Sequence, residues 1–327
     1  MAQDSKLSHH FRAIGMLLVA DMFAALGFPL VKALALVHEG LFPAGRGWFE
    51  VADLTGPRFL LPIPLLWWWQ SREGRVTARE WLQGGAIGLF ASVGMIVLSD
   101  GLRFATASTS AFFATLYAVF IPVWVALWRR RMPGPLVWIS CLMVLTGVAV
   151  LGRFDWRHLA FGRGELEALL SAGFFMGQLL SLDHEGFRGN RPRAITLTMF
   201  VTMSAVFAVV TAASAPDLRS LAAPWTSPSW VVLTLVIAAA CTLAPCLMVN
   251  VWQPRVTATE AGLIYAVEPV MNAVLVLFLP AWLSCWTGIG YPNESATLGL
   301  LVGGGLITAA NVLVQSRRAA APPSPPP

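Results

Sequence analysis

Residues 104–128 read FATASTSAFFATLYAVFIPVWVALW, 25 consecutive positions without a charge, closed by Arg129, Arg130 and Arg131. A helix needs ~20 mostly apolar residues to cross the hydrocarbon core of a bilayer, so this run predicts a membrane span. Six more uncharged runs surround it: Trp81–Ser99, Met132–Gly152, Ala194–Pro216, Ser220–Pro254, Pro269–Asn293 and Ser295–Ser316. Three others qualify with interruptions. Ala13–Val37 contains Asp21 and Lys32, Pro57–Gln70 is short and needs extension, and Glu165–Leu182 opens with two acids. The ninth span, at Pro269, needs residues from Ala258 onward to be complete. The expectation is an all-α integral membrane protein of ten transmembrane helices.

The composition agrees. Of 327 residues, 57% are hydrophobic and 12% charged, and the mean hydropathy is +0.68. A soluble domain of this size carries about 25% charged residues to cover its surface. The net charge of +5 does not indicate nucleic-acid binding, which requires cations clustered with aromatics on a polar face. Here the cations sit in short groups between apolar runs. Cys141, Cys241 and Cys246 lie inside such runs and Cys285 just beyond one, which suits neither a zinc site nor a disulfide framework. No Walker loop, nucleophile elbow or metal-binding helix motif occurs, so no cofactor and no metal are expected. The first apolar segment is long and lacks a small-residue cleavage site, so it is expected to remain as helix 1.

Ten spans put both termini on one side. That side carries Lys6, Arg12, Arg72, Arg75, Arg79, Arg129, Arg130, Arg131, Arg188, Arg191, Arg193, Arg255, Arg317 and Arg318, 14 of the 22 cations. The opposite loops hold six, three of them between helices 5 and 6. The positive-inside rule makes the termini cytoplasmic. Trp67, Trp68 and Trp69 end helix 2 beside a basic loop, as interfacial anchors do.

The two halves echo each other. Tyr117-Ala118-Val119-Phe120-Ile121-Pro122-Val123 in helix 4 matches Tyr265-Ala266-Val267-Glu268-Pro269-Val270 in helix 9, with one residue of slip. Each copy follows a stretch rich in Thr, Ala and Ser, Thr106–Ala111 and Thr257–Ala261. Five crossings is an odd number, so the second half enters the membrane inverted, an arrangement found in transporters with the site at the repeat interface. The expected division is a cytoplasmic N-terminus at 1–12, five-helix repeats at 13–152 and 164–316, and a disordered cytoplasmic tail at 317–327.

At this point the chain resembles the EamA family of the drug/metabolite transporter superfamily. The resemblance rests on Val31-Lys32-Ala33-Leu34 ending helix 1 and Arg58-Phe59-Leu60 opening helix 2. Gly101-Leu102-Arg103-Phe104-Ala105-Thr106-Ala107-Ser108 leads into helix 4. Trp252-Gln253-Pro254-Arg255-Val256-Thr257-Ala258-Thr259 precedes helix 9 with its Glu268-Pro269-Val270, and Gly299–Ala309 is similar to the last helix of the family. It covers about Ala13 to Val314. Where the family has a Gly-Glu pair after helix 9, this chain has Leu279-Pro280-Ala281-Trp282 and an extra segment, Ser284–Ser295. The resemblance implies export of small metabolites such as amino acids or related compounds. It also implies a bacterial inner membrane.

Ionisable groups inside spans are costly, by ~2.5–3.5 kcal/mol at the centre on insertion scales, and so are candidates for function. Glu268 leads. It precedes Pro269, which cannot donate to the Tyr265 carbonyl and marks a kink. Tyr265, Glu268 and Asn272 share a helical face by spacing. Glu268 suits a substrate amine or a carried proton, and equally a permanent ion pair. Asp21 is a second candidate, with a helix–helix hydrogen bond as its plainer use. Tyr117, with Ser110 and Ala114 on its face, corresponds to Tyr265 as a cavity wall. Gln178 and Asn250 are polar and near mid-span, where interhelical hydrogen bonding is common. Lys32 and Arg58 read as anchors, Lys32 with Glu50 or Asp53 nearby, although together they suit an anionic solute. His9 and His10 read as solvated.

The functional expectation is a secondary transporter acting by alternating access on a small-molecule solute, not an enzyme. Protons are the candidate coupling ion and a homodimer the candidate assembly. The alternatives are a membrane-embedded transferase at the cytoplasmic interface and a non-transporting sensor.

Overall fold

The computed structural model describes residues 2–42, 47–101, 103–105, 110, 113–130, 132–151 and 162–320. The protein is all-helical, with 84% helix and no strand among the described residues. Four helices there are long and apolar enough to cross a membrane: His10–Leu41, Ala78–Gly101, Pro192–Ser214 and Pro228–Arg255. A bent pair, Ala258–Leu275 with Leu279–Thr287, makes up to five, and Phe113–Trp128, Pro135–Leu151 and Leu298–Leu313 are shorter apolar helices.

The first half opens with α1 (Ala2–Leu41), which is helical well before Ala13. Next come α2 (Trp48–Leu60) and α3 (Ile63–Ser71). The run expected to span from Pro57 is thus covered by two helices that begin back at Trp48 and break at Leu61 and Pro62, where the proline ring denies the helix a donor. Arg72 and Arg193 lie over the rings of Trp68 and Trp69, 3.9 and 4.8 Å from their centroids, so the tryptophan run is tied to basic groups. Then follow α4 (Ala78–Gly101), α5 (Tyr117–Arg129) and α6 (Pro135–Leu151).

The second half has α7 (Arg163–Asp183), α8 (Pro192–Ser214), the short α9 (Leu218–Ala222) and α10 (Pro228–Val236). A π-helical stretch, Ile237–Leu243, joins α10 to α11 (Ala244–Trp252). After α12 (Ala258–Tyr265) and α13 (Glu268–Leu275) the chain turns through 61° into α14 (Leu279–Thr287). The single span expected over Pro269–Asn293 is therefore corrected. Its second part is a separate helix, and residues 288–297 return along it as non-helical chain. That return is fixed by Ser284 Oγ donating to the Tyr291 carbonyl at 2.6 Å and by the Ala281 amide on Asn293 Oδ1 at 2.8 Å. The last helix, α15 (Leu298–Ala320), runs past residue 316, so the first residues of the expected tail are helical, while 321–327 lie outside the described residues.

Glycines set the closest crossings. A Cβ on Gly84 would fall 2.6 Å from the Ile195 carbonyl oxygen of α8, and one on Gly101 3.0 Å from the Gly164 carbonyl oxygen of α7. A Cβ on Gly147 of α6 would fall 2.8 Å from the Gly303 carbonyl oxygen of α15. Small residues let backbones meet in this way without a large apolar side chain between them. Around the crossings, α4 packs on α7 and α8, α2 on α8, and α1 on α10, α11 and α13. In addition, α5 packs on α7 and α12, and the π stretch lies against both α1 and α2.

Candidate functional site

Two of the helix interruptions fall at matching places in the two halves. In the first half the helix breaks at Leu116, immediately before Tyr117. In the second half it breaks at Ala266 and Val267, between Tyr265 and Glu268. Pro269 has no N–H to give, and the next two amides, Val270 and Met271, both turn to the Val267 carbonyl, at 2.9 and 3.2 Å. The two helices cross at Gly262, where a Cβ would lie 3.0 Å from Ile121 Cδ1 and 3.9 Å from Tyr117 Cε2.

Asp21 of α1 is brought to this point and is 3% exposed. It lies within electrostatic range of Glu268, and both tyrosines lie within range of both acids. The Asp21 Oδ2 and the Asn272 Oδ1 are buried with no hydrogen-bond partner among the described residues. Tyr265 donates to Gln253 Oε1 at 3.0 Å, and Gln253 in turn donates to the Leu179 carbonyl at 3.2 Å. Two acids facing each other in a low dielectric repel, and a proton or a cationic group between them relieves that repulsion. The arrangement can therefore hold an amine or pass a proton.

Five of the six expected site residues, Asp21, Tyr117, Tyr265, Glu268 and Asn272, thus fall on or beside the two breaks. Gln178 makes no hydrogen bond with any of them. Gln253 is the addition: it stands in the Trp252-Gln253-Pro254 motif, but nothing in its spacing tells that it will hold Tyr265. Asn250 forms the interhelical bond expected of it, donating to Thr196 Oγ1 at 2.7 Å.

Three side-chain readings change. Asp53 does not serve Lys32, which is exposed; it pairs with His38 at 3.2 Å, both residues buried. His10 is not free in solvent but lies 3.5 Å from the buried Glu260. Arg58 is no surface anchor. Among the described residues its Nε is buried without a partner and its Nη2 reaches only the Met95 sulfur, at 3.5 Å.

The ends of the bundle are tied by ions and caps. Glu80 is bound by Arg191 Nε and Nη2, at 2.7 and 2.8 Å, and accepts the Thr77 amide at 2.8 Å. Thr257 and Glu260 repeat that reciprocal cap at the start of α12, at 2.9 Å. Such capping boxes satisfy amides that a helix start leaves free. Near the other end of α4, Asp100 takes Arg103 at 3.2 Å and Arg163 at 2.5 Å. A surface pocket of about 240 Å³ lined by Asp183, Glu185, Arg188 and Pro254–Thr257 lies apart from the acid cluster. No group of three His, Cys, Asp or Glu side chains among the described residues is placed to hold a metal.

Residues 11–153 match the model of the EamA-like transporter family. A solved structure described only as "Crystal structure of protein" aligns with a TM-score of 0.63 at 16% identity, over 91% of this chain and 99% of its own. That likeness is one of fold, and it extends over nearly the whole chain. No curated protein matches the sequence. The family match and the apolar helices together make this a multi-pass membrane protein.

Proposed function

We propose that this chain, an EamA-like transporter family member over residues 11–153, is a secondary carrier that exports small metabolites such as amino acids. It works by alternating access between inverted five-helix halves, 13–152 and 164–316. The site is the cluster of Asp21, Tyr117, Tyr265, Glu268 and Asn272. The observation that carries this reading is a buried acid, Asp21, and a half-buried one, Glu268, beside a pair of helices, each broken at its tyrosine. Broken helices at a repeat interface are where carriers hold solute and coupling ion.

The packing supports the inverted halves. Number the spans one to ten, with α2–α3, α10–α11 and α12–α13 each as one and α9 and α14 as connections. Exchanging each span with the one five places on turns the α4–α7 contact into α11–α1. It turns α4–α8 into α10–α2 and α5–α7 into α13–α1. The contacts α2–α8, α5–α12 and α6–α15 map onto themselves. Two halves related in this way exchange conformations at little cost, which is what alternating access needs. A proton on the Asp21–Glu268 pair, displaced by a solute amine, would couple transport to the proton gradient. On this reading the basic end is cytoplasmic, both termini lie there, the membrane is a bacterial inner membrane, and the carrier pairs as a homodimer.

The test is uptake by proteoliposomes from a mixed metabolite pool, with and without a pH gradient, read by mass spectrometry. Uptake of one compound class, raised by the gradient and lost in Asp21→Asn, is the expected result. If nothing moves under either condition, the carrier reading fails and a membrane enzyme or sensor takes its place.

A further inference from the structure

Arg58 is a half-buried cation whose Nε is enclosed without a partner among the described residues. Its guanidinium lies over the Phe59 ring, 4.9 Å from the centroid, and its one side-chain hydrogen bond is to the Met95 thioether. A thioether is a weak acceptor, and an arginine offers five donors in a fixed fork. No carboxylate among the described residues lies within ion-pair distance of it. The nearest acid on its own helix, Asp53, is taken by His38. A guanidinium half-buried among apolar groups is left with donors unmet, and a carboxylate reaching it would satisfy them.

Its surroundings connect it to the acid cluster. Arg58 lies within electrostatic range of Cys241 and Cys246, and Cys246 is within range of Tyr265 as well. Cys241 belongs to the π-helical stretch packed between α1 and α2. It also sits against the helix that carries Asp21, since a Cβ on Gly27 would be 3.3 Å from its own. Inserted π turns occur often at functional sites, and this one lies against both the helix of Arg58 and the helix of Asp21.

We propose that Arg58 is the anion subsite of the central site and takes a carboxylate of the solute, so that the compounds moved carry a carboxylate as well as an amine. The inference rests on the acid cluster being the solute site. The planar fork of arginine binds a carboxylate through two parallel hydrogen bonds, which a lysine ammonium cannot reproduce.

The experiment uses purified protein in proteoliposomes and pairs of probes of which one member lacks a carboxylate: leucine and 3-methylbutylamine, lysine and 1,5-diaminopentane. The wild type is expected to take up the carboxylate member of a transported pair at least tenfold faster. Arg58→Met, whose side chain suits the Met95 surroundings, is expected to lose that uptake at least tenfold while uptake of the partner compound persists. Equal handling of both members by the wild type overturns the subsite and leaves the carrier reading intact, as does an Arg58→Met protein with unchanged preference. A wild type that moves none of the probes refutes both. Arg58→Lys decides the case in which the Met variant does not fold. The KM for the carboxylate member is then expected to rise several-fold with the partner's unchanged, and an equal rise for both overturns the proposal.

Discussion

Glycine-to-alanine changes in α15 should reverse sign within two residues. At Gly303 an added Cβ would lie 2.6 Å from the Gly147 carbonyl oxygen and 2.8 Å from the Leu151 amide nitrogen, both backbone atoms of α6. Carbon-to-oxygen contacts between helices settle at about 3.3–3.6 Å, so α6 and α15 must part by about 0.7 Å or more. Neither atom belongs to a flexible side chain that could swing away. At Gly305 nothing lies within 4 Å of the added carbon. Both variants gain the same helix propensity, about 1 kcal/mol over glycine, so that contribution cancels in their difference. What remains is overpacking at Gly303, about 1–3 kcal/mol. Thermal unfolding of the purified protein in detergent should rank Gly305→Ala at or above the wild type and Gly303→Ala several degrees below it. Equal midpoints for the two variants would show that α6 and α15 do not meet through their backbones at Gly147 and Gly303.

Three other perturbations follow from the polar ties. Arg191→Met strands the nearly buried Glu80 carboxylate and should cost about 3 kcal/mol, with Glu80→Gln in the same chain recovering most of it; additive losses in a double-mutant cycle on unfolding midpoints would contradict the pairing. His38→Leu removes the imidazole that lies against the buried Asp53 and should destabilise by about 1–3 kcal/mol. The double variant His38→Leu/Asp53→Leu should be the more stable of the two, and the reverse order would count against the pair. Thr257→Ala removes the side-chain half of the cap on α12 and should lower stability by about 1 kcal/mol, whereas Thr259→Ala should not, as measured by the same unfolding assay.

Much of the fold was legible because uncharged length is a direct signal of a span, as with Trp81–Ser99, which became the body of α4. Direction was not legible. Residues 279–287 are as apolar as those before them, yet the helix turns away because Asn293, Ser284 and Tyr291 hold the return chain against it, and contacts across 7–12 residues leave no periodic mark. The acids of the candidate site could be read from the sequence because a charge in an apolar run stands out, and Pro269 announced the break beside Glu268. Partnership could not be read. Sequence does not tell that His38 takes Asp53, that His10 reaches Glu260, or that Arg58 is left with a sulfur. These depend on which faces of separate helices meet.

Counterflow is the measurement that bears most directly on whether the acid cluster carries solute across the membrane. Proteoliposomes preloaded with an excess of a transported compound would receive a trace of its labelled form outside, with Glu268→Gln run beside the wild type. Transient accumulation of label above equilibrium in the wild type, and its loss in the variant at equal protein incorporation, is the expected outcome. Label that equilibrates without overshoot would point to a pore, and undiminished overshoot in Glu268→Gln would remove Glu268 from the site.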